Sequence, residues 1–134
     1  MPKKKRRSKY INRPRAIECA DKAMSDYIRT RDNFTCVTCG KKGNKKNIDN
    51  GHFIPRGSSL WRYDERNGHA QCYRCNKKLS GNWPVYFDFM VTTYGRDLVD
   101  EMINRKQEEC KRSIIDLLEI EQYYKDKLEE LNGR

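Results

Sequence analysis

The sequence predicts an α+β fold: a short pair of strands and a helix fastened by zinc, with an N-terminal helix before this core and a helical C-terminal extension after it. Three observations predict it. Four cysteines fall in two pairs, Cys36-x-x-Cys39 and Cys72-x-x-Cys75, and two such pairs point to tetrahedral thiolate zinc. The run "IDNGHFI" between the pairs has the β-branched and aromatic content of a strand. On either side of the pairs, apolar residues return at intervals of three and four, the period of an amphipathic helix. A chain of 134 residues is long enough for one domain with a small core.

Composition narrows the function classes. Hydrophobic and charged residues each make up 36% of the chain, which suits a limited core and long solvated helices. No apolar run approaches the roughly 18 to 20 residues that span a bilayer, and the basic N-terminus has no apolar segment behind it. A membrane partner and secretion are therefore not expected; the expected location is the cytoplasm, in association with DNA. The net charge of +10 is uneven. Residues 1–15 carry eight Lys or Arg and no acid, residues 16–95 carry 13 basic against eight acidic side chains, and residues 96–134 carry eight against eleven. Positive charge at the front and middle attracts phosphates through counterion release. "PKKKRRSK" within residues 1–15 reads as a disordered arm whose Lys3, Lys4, Lys5, Arg6 and Arg7 contact phosphate; a nuclear-localisation reading of such a run is less specific.

The elements follow in order. Ile17, Ala20, Met24, Tyr27 and Ile28 predict a helix over residues 16–31. "RDNFTCVTCG" reads as a polar turn leading into a zinc knuckle, and "KKGNKKN" as a basic turn. The strand "IDNGHFI" is expected to stop at Pro55, followed by an irregular loop over 56–66 and a second knuckle that runs into a helix. Val85 to Tyr94 predicts a helix capped by Gly95, residues 96–107 another, and residues 108–131 a long last one. In that last helix Ile114, Leu117, Tyr124, Leu128 and Leu131 suit a coiled-coil or homodimer seam, and equally a helix packed on its own domain. The domain reading is thus a basic arm (1–15), a zinc-containing domain (16–95) and a helical extension (96–134). Cys19 and Cys110 read as small buried hydrophobes.

A knuckle, a strand ending at His52, a loop, Asn67, and a second knuckle beginning at Cys72 form an order that resembles the HNH, or ββα-metal, nucleases. The resemblance implies that His52 activates water, Asn67 orients it, and Asn76 helps hold a divalent ion, Mg²⁺ or Mn²⁺, against the scissile phosphate. The chemistry is independently sound: hydrolysis of a phosphodiester needs a base that titrates near neutrality and a hard cation at the phosphate. "GHF", "RYDERNGHAQCYRCN", "LSGN" and "YG" together are similar, over about residues 25–100, to the NinG (Rap) family of lambda-type phage recombination proteins. That resemblance implies an HNH-like core, structural Zn²⁺ on Cys36, Cys39, Cys72 and Cys75, and metal-dependent nuclease activity on branched DNA such as Holliday junctions and D-loops, in the company of phage recombination proteins. Many HNH nucleases carry an acidic metal ligand immediately before the histidine; here that residue is Gly51. Asp49 is the nearest carboxylate, and in a regular strand it faces away from His52, so reaching the ion would require a bulge at the glycine.

Basic residues surround this segment. Lys41, Lys42, Lys45 and Lys46 in the turn, and Arg56, Arg62, Arg66, Arg74, Lys77 and Lys78 further on, are candidate DNA contacts. Trp61, Tyr63 and Tyr73 interleave with them as stacking surfaces for unpaired bases, or fill a small core. His69 reads as a phosphate contact or an exposed loop residue. Two other readings keep the cysteines and give His52 no chemical role. One is a non-catalytic zinc module that binds branched DNA or recruits a recombination partner. The other is a zinc-containing transcriptional regulator, for which no helix-turn-helix pattern is evident.

Overall fold

The computed structural model describes residues 11–133; the arm residues Lys3, Lys4, Lys5, Arg6 and Arg7 lie outside them. Helix α1 (Arg13–Arg31) starts where Asn12 Oδ1 accepts the Arg15 amide at 3.0 Å, with Pro14 in the first turn, where no intrahelical donor is needed. Ala16, Ala20, Met24, Tyr27 and Ile28 are its buried stripe. The helix ends because Asn33 and Phe34 turn left-handed (φ 54° and 52°), which returns the Phe34 amide to the Arg29 carbonyl at 2.8 Å.

The chain divides into two compact units, one formed by the segment up to Tyr27 with the segment from Lys111 onward, the other by Ile28–Cys110. In the first, Tyr27 meets Tyr124 with ring centroids 5.8 Å apart. Arg13 Nη1 donates to the Arg112 carbonyl at 2.6 Å. The last helix spans Ile114–Asn132 and begins six residues later than the spacing predicts, because Ser113 caps it: its Oγ accepts from the Asp116 amide at 3.1 Å, and Asp116 accepts from the Ser113 amide at 2.8 Å. Of the predicted seam, Leu117 and Tyr124 are buried. Glu121, which breaks the apolar spacing, is 6% exposed and paired with Lys125 at 2.7 Å.

The second unit holds an antiparallel pair, β1 (Ile48–His52) and β2 (Gly68–Cys72), in unbroken register from Ile48 opposite Cys72 to His52 opposite Gly68. A five-residue π-helical turn, Arg74–Lys78, stands where a longer helix is expected. Two helices follow, α2 (Trp83–Tyr94) and α3 (Arg96–Asn104), joined at Gly95, whose φ of 91° ends the first and opens the second. Phe53, Ile54, Trp61, Tyr86, Met90, Val99 and Met102 form one buried cluster, and Cys36, Ile48, Ala70, Cys72 and Cys75 another. Trp61 is therefore a core plug. β1 is shorter than its apolar pattern: beyond His52, Phe53 and Ile54 turn into the core and bond to Asn67 instead of extending the ladder.

Candidate functional site

Four thiols converge first. The sulfurs of Cys36, Cys39, Cys72 and Cys75 all lie within 4.8 Å of one another, and those of Cys39 and Cys72 are 3.7 Å apart. Zn–S bonds of about 2.3 Å in a tetrahedron place sulfurs about 3.8 Å apart, so the donor set fits a structural metal such as zinc. The knuckle is built by a tight reversal. The Cys36 amide bonds the Lys41 carbonyl at 2.8 Å and the Gly40 amide bonds the Cys36 carbonyl at 2.9 Å, with Gly40 at φ 79°. The Val37 amide bonds the Ala70 carbonyl at 2.8 Å and ties this knuckle to β2. Burial pushes the Cys36 thiol up, but hydrogen bonds from Thr38 and from nearby backbone amides outweigh it and bring it down to about 6, while partial desolvation of its sulfur, reinforced by the neighbouring sulfurs, drives Cys39 up to about 12 although the residue as a whole is exposed. Asn82 stands at the N-cap of α2 without a side-chain cap bond, and its amide turns to the Cys75 sulfur at 3.7 Å.

At the far end of β1, His52 is half-buried, and its Nε2 lies 2.8 Å from the Arg62 carbonyl. A carbonyl only accepts, so in the neutral ring this nitrogen carries the proton and Nδ1 holds the lone pair. The loop that supplies Arg62 is clipped from within by Asn67, which is wholly buried. Its Oδ1 accepts from the Ile54 amide at 2.8 Å, and its Nδ2 donates to the carbonyls of Ile54 at 2.9 Å and Trp61 at 3.1 Å. Asn67 thus reaches the imidazole through the loop rather than by a direct bond.

Asp49 and Asn76 meet elsewhere, with Asn76 Nδ2 donating to Asp49 Oδ2 at 3.1 Å. The ladder does not bulge at Gly51, so alternation keeps Asp49 and His52 on opposite faces of β1. Gly51 is glycine for a different reason: a Cβ there would strike the Oε1 of Gln71 and come within 2.7 Å of its Cδ. Residue types do not announce this contact, although a mid-strand glycine is itself a sign of close approach.

His69 corrects an expectation. It is 3% exposed, wedged between Tyr86 and Tyr94, and so is neither a loop residue nor a phosphate contact. The Tyr86 hydroxyl donates to the Gly51 carbonyl at 2.6 Å, so its oxygen receives His69 Nδ1–H at 3.0 Å, and Nε2 accepts from the Tyr94 hydroxyl at 2.8 Å. Burial, with a lesser push from Arg31, lowers the His69 pKa to about 4 and keeps it neutral. Arg31 and Asp32 carry no motif that singles them out, yet both hold this region. Arg31 donates to the Glu65 and Gly68 carbonyls at 3.0 and 2.8 Å, and Asp32 accepts from the Ala70 amide at 2.9 Å, which anchors the start of β2.

The basic residues differ in availability. Lys41, Lys42, Lys45, Lys46, Arg56, Arg74, Lys77 and Lys78 are exposed, as is Tyr73 at 58%. Arg62 lies over the Tyr63 ring, 5.6 Å from its centroid. Arg66 is bound to Asp64 at 2.8 Å; burial works against ionisation of Asp64, but the guanidinium holds its carboxyl below the usual range. No described helix is long and apolar enough to cross a membrane.

A family model described as Bacteriophage Lambda NinG protein matches residues 1–133. The chain is similar to Protein ninG of Escherichia phage lambda (33% identical over 125 residues), of Salmonella phage P22 (32% over 123) and of Escherichia phage 933W (31% over 119). These alignments cover 87%, 86% and 87% of this chain but 57%, 57% and 58% of the relatives, so the chain spans a little under three-fifths of their length. No solved structure matches.

Proposed function

The chain belongs to the NinG family, and on that premise we propose that it is a divalent-metal-dependent DNA endonuclease of HNH-like design that cuts branched recombination intermediates such as four-way junctions and D-loops. The observation that carries this reading is the bond from His52 Nε2 to the Arg62 carbonyl. It presets the tautomer in which Nδ1 takes a proton from water, which is what general-base hydrolysis of a phosphodiester requires. Asn67 is a positioning residue: by joining Ile54 to Trp61 it holds the loop that presents the carbonyl. Mg²⁺ or Mn²⁺, when bound, supplies positive charge at the phosphate and the leaving oxygen. Asp49 and Asn76 are the oxygen donors the sequence offers such an ion, but with no bulge at Gly51 Asp49 stays on the face of β1 away from His52, so the ion beside the base is not assigned to them. The thiolate cluster is structural and keeps the two knuckles and the hairpin in one piece. The exposed lysines after Cys39 and on the π-turn bind the backbone of the substrate.

The test is cleavage of a labelled four-way junction beside a matched duplex with Mg²⁺, Mn²⁺ or EDTA, for wild type and His52→Ala of equal zinc content. The expected result is junction-selective, ion-dependent cutting that falls about 10²- to 10⁴-fold in the variant. Tight junction binding with no cutting in either ion, unchanged by His52→Ala, would replace this reading with that of a non-catalytic zinc module for branched DNA.

A further inference from the structure

The stretch "LSGNWPV", residues 79–85, joins the π-turn to α2 and carries apolar side chains into solvent: Leu79 is 43% exposed, Trp83 40% and Val85 43%. Its backbone is strained. Ser80, Gly81 and Asn82 are all left-handed (φ 51°, 92° and 50°), and a turn of this kind persists only where its surroundings fix it. Here the Gly81 amide bonds the Cys75 carbonyl at 2.8 Å, and the Asn82 amide bonds the Leu79 carbonyl at 2.9 Å. From β2, the buried Gln71 donates through Nε2 to the Gly81 carbonyl at 2.8 Å. The second knuckle and β2 thus set the direction in which the chain enters α2.

What they aim is Trp83. Its Nε1 donates to the Phe53 carbonyl at 3.3 Å, and Phe53 stacks on its ring with centroids 5.1 Å apart and planes 11° from parallel. Phe87, one turn further along α2, is 5.2 Å from Trp83 and 6.4 Å from Phe53. Those three distances make an acute triangle, so the two phenylalanines do not sandwich the indole between them. A large ring is thereby fixed at its polar edge and against Phe53 while much of it stays open to solvent. The segment's own charge has one sign. Between Glu65 and Asp88 the sequence holds no carboxylate and four Lys or Arg, of which Arg74, Lys77 and Lys78 are exposed. Asp49, which meets the segment from β1, is engaged by Asn76 at 3.1 Å. The Leu79 amide returns to the Arg74 carbonyl at 2.8 Å, so cations and exposed ring belong to one folded-back stretch of chain.

We propose that Trp83 is a stacking platform for an unpaired base of branched DNA, with Arg74, Lys77 and Lys78 on the phosphates that lead to it. Every base has a π-face, so a ring held in this way accepts any base that is out of the duplex stack. A linear duplex keeps its bases on one another and meets the cations alone. The platform therefore selects for structure without reading sequence. This inference rests on the proposed function for its branched substrate, and not on cutting.

Binding is measured on the full zinc-loaded chain without added Mg²⁺ or Mn²⁺, against a D-loop and a matched linear duplex. The chain has two tryptophans and Trp61 is buried, so the D-loop is expected to quench the emission of the exposed indole and the duplex to leave it unchanged. Trp83→Leu, which keeps an apolar side chain without a ring, is expected to weaken D-loop binding about 5- to 100-fold and duplex binding less than about twofold. Trp83→Phe is expected to recover most of that loss. Neither changes the salt dependence, whereas Lys77→Ala with Lys78→Ala lowers its slope by about two. Where Trp83→Leu loses zinc or fold, the quenching in wild type decides alone. Equal losses on both DNAs, a loss that Trp83→Phe leaves unrecovered, or a D-loop complex with unchanged emission would overturn the platform. So would quenching that grows with protein concentration in the absence of DNA, which would make the patch a contact between copies of the chain. D-loop-selective quenching in a chain that cuts no DNA would keep the platform and retire the nuclease; cutting with the emission unchanged would do the reverse.

Discussion

The two faces of the β1–β2 hairpin are built from opposite chemistries. Ile48, Ala70 and Cys72 on one face, which Asn50 and His52 share, close on sulfur and hydrocarbon; Asp49, His69 and Gln71 on the other close on oxygen and nitrogen. Two five-residue strands therefore separate soft donors from hard ones by nothing more than the alternation of side chains. The cost falls on the polar face, where every buried group must find a partner. His69 finds two tyrosines, and Gln71 finds partners for its nitrogen alone.

The largest effect is expected on the sulfur face. Stripping the metal with a chelator, or Cys72→Ser, removes a contribution of the order of 10 kcal/mol in small zinc domains, so loss of zinc and of the native circular dichroism should coincide. A chain that melts unchanged after the metal is gone would reduce the four cysteines to buried thiols and erase the contrast.

The polar face answers to acid. The folded-state pKa of His69 is held near 4 against an ordinary 6.5, so between those values the unfolded chain binds the extra proton. Stability is complete above about pH 6.5 and falls as the pH drops toward 4, by about 3 kcal/mol for a shift of this size. Denaturation of wild type and His69→Phe between pH 5 and 7 should show a slope in the first that is missing in the second; parallel curves would mean that the Tyr86–His69–Tyr94 chain accepts a charged ring.

A smaller effect tests the packing of the same face. Gly51→Ala drives a methyl group into Gln71 and is expected to lose about 1–3 kcal/mol. Adding Gln71→Ala should recover part of that loss, a coupling that a double-mutant cycle reads directly. Independent, additive losses would show that Gln71 moves aside freely.

This contrast also marks what a sequence can reveal. The α+β class, the cysteine cluster and the helix ending at Gly95 are written locally, in C-x-x-C spacing, in three-and-four periodicity and in one glycine. Ser113, three residues before Asp116, is an equally local signal for the start of the last helix, and it outranks the apolar spacing that points further upstream. His52, Asn67 and Asn76 stand out by residue type, but their contacts do not, because those contacts join residues six to 27 apart and most run through backbone carbonyls that leave no imprint on residue type. His69 illustrates the difficulty: "NGHAQ" looks like a loop until the tyrosines 17 and 25 residues away close over the ring. The end of β1 is set the same way, since Asn67 takes the ladder position that the apolar run would otherwise continue.

The thiolate cluster has a further electrostatic consequence. A Zn²⁺ ion ringed by four thiolates leaves a net charge of about −2, an awkward neighbour for a polyanion. Cys39, one of its ligands, is exposed, and the chain places Lys41 and Lys42 directly after it and Lys45 and Lys46 a few residues later. With the metal bound, those lysines offset the sign of the cluster, so that this stretch of surface keeps positive charge beside it.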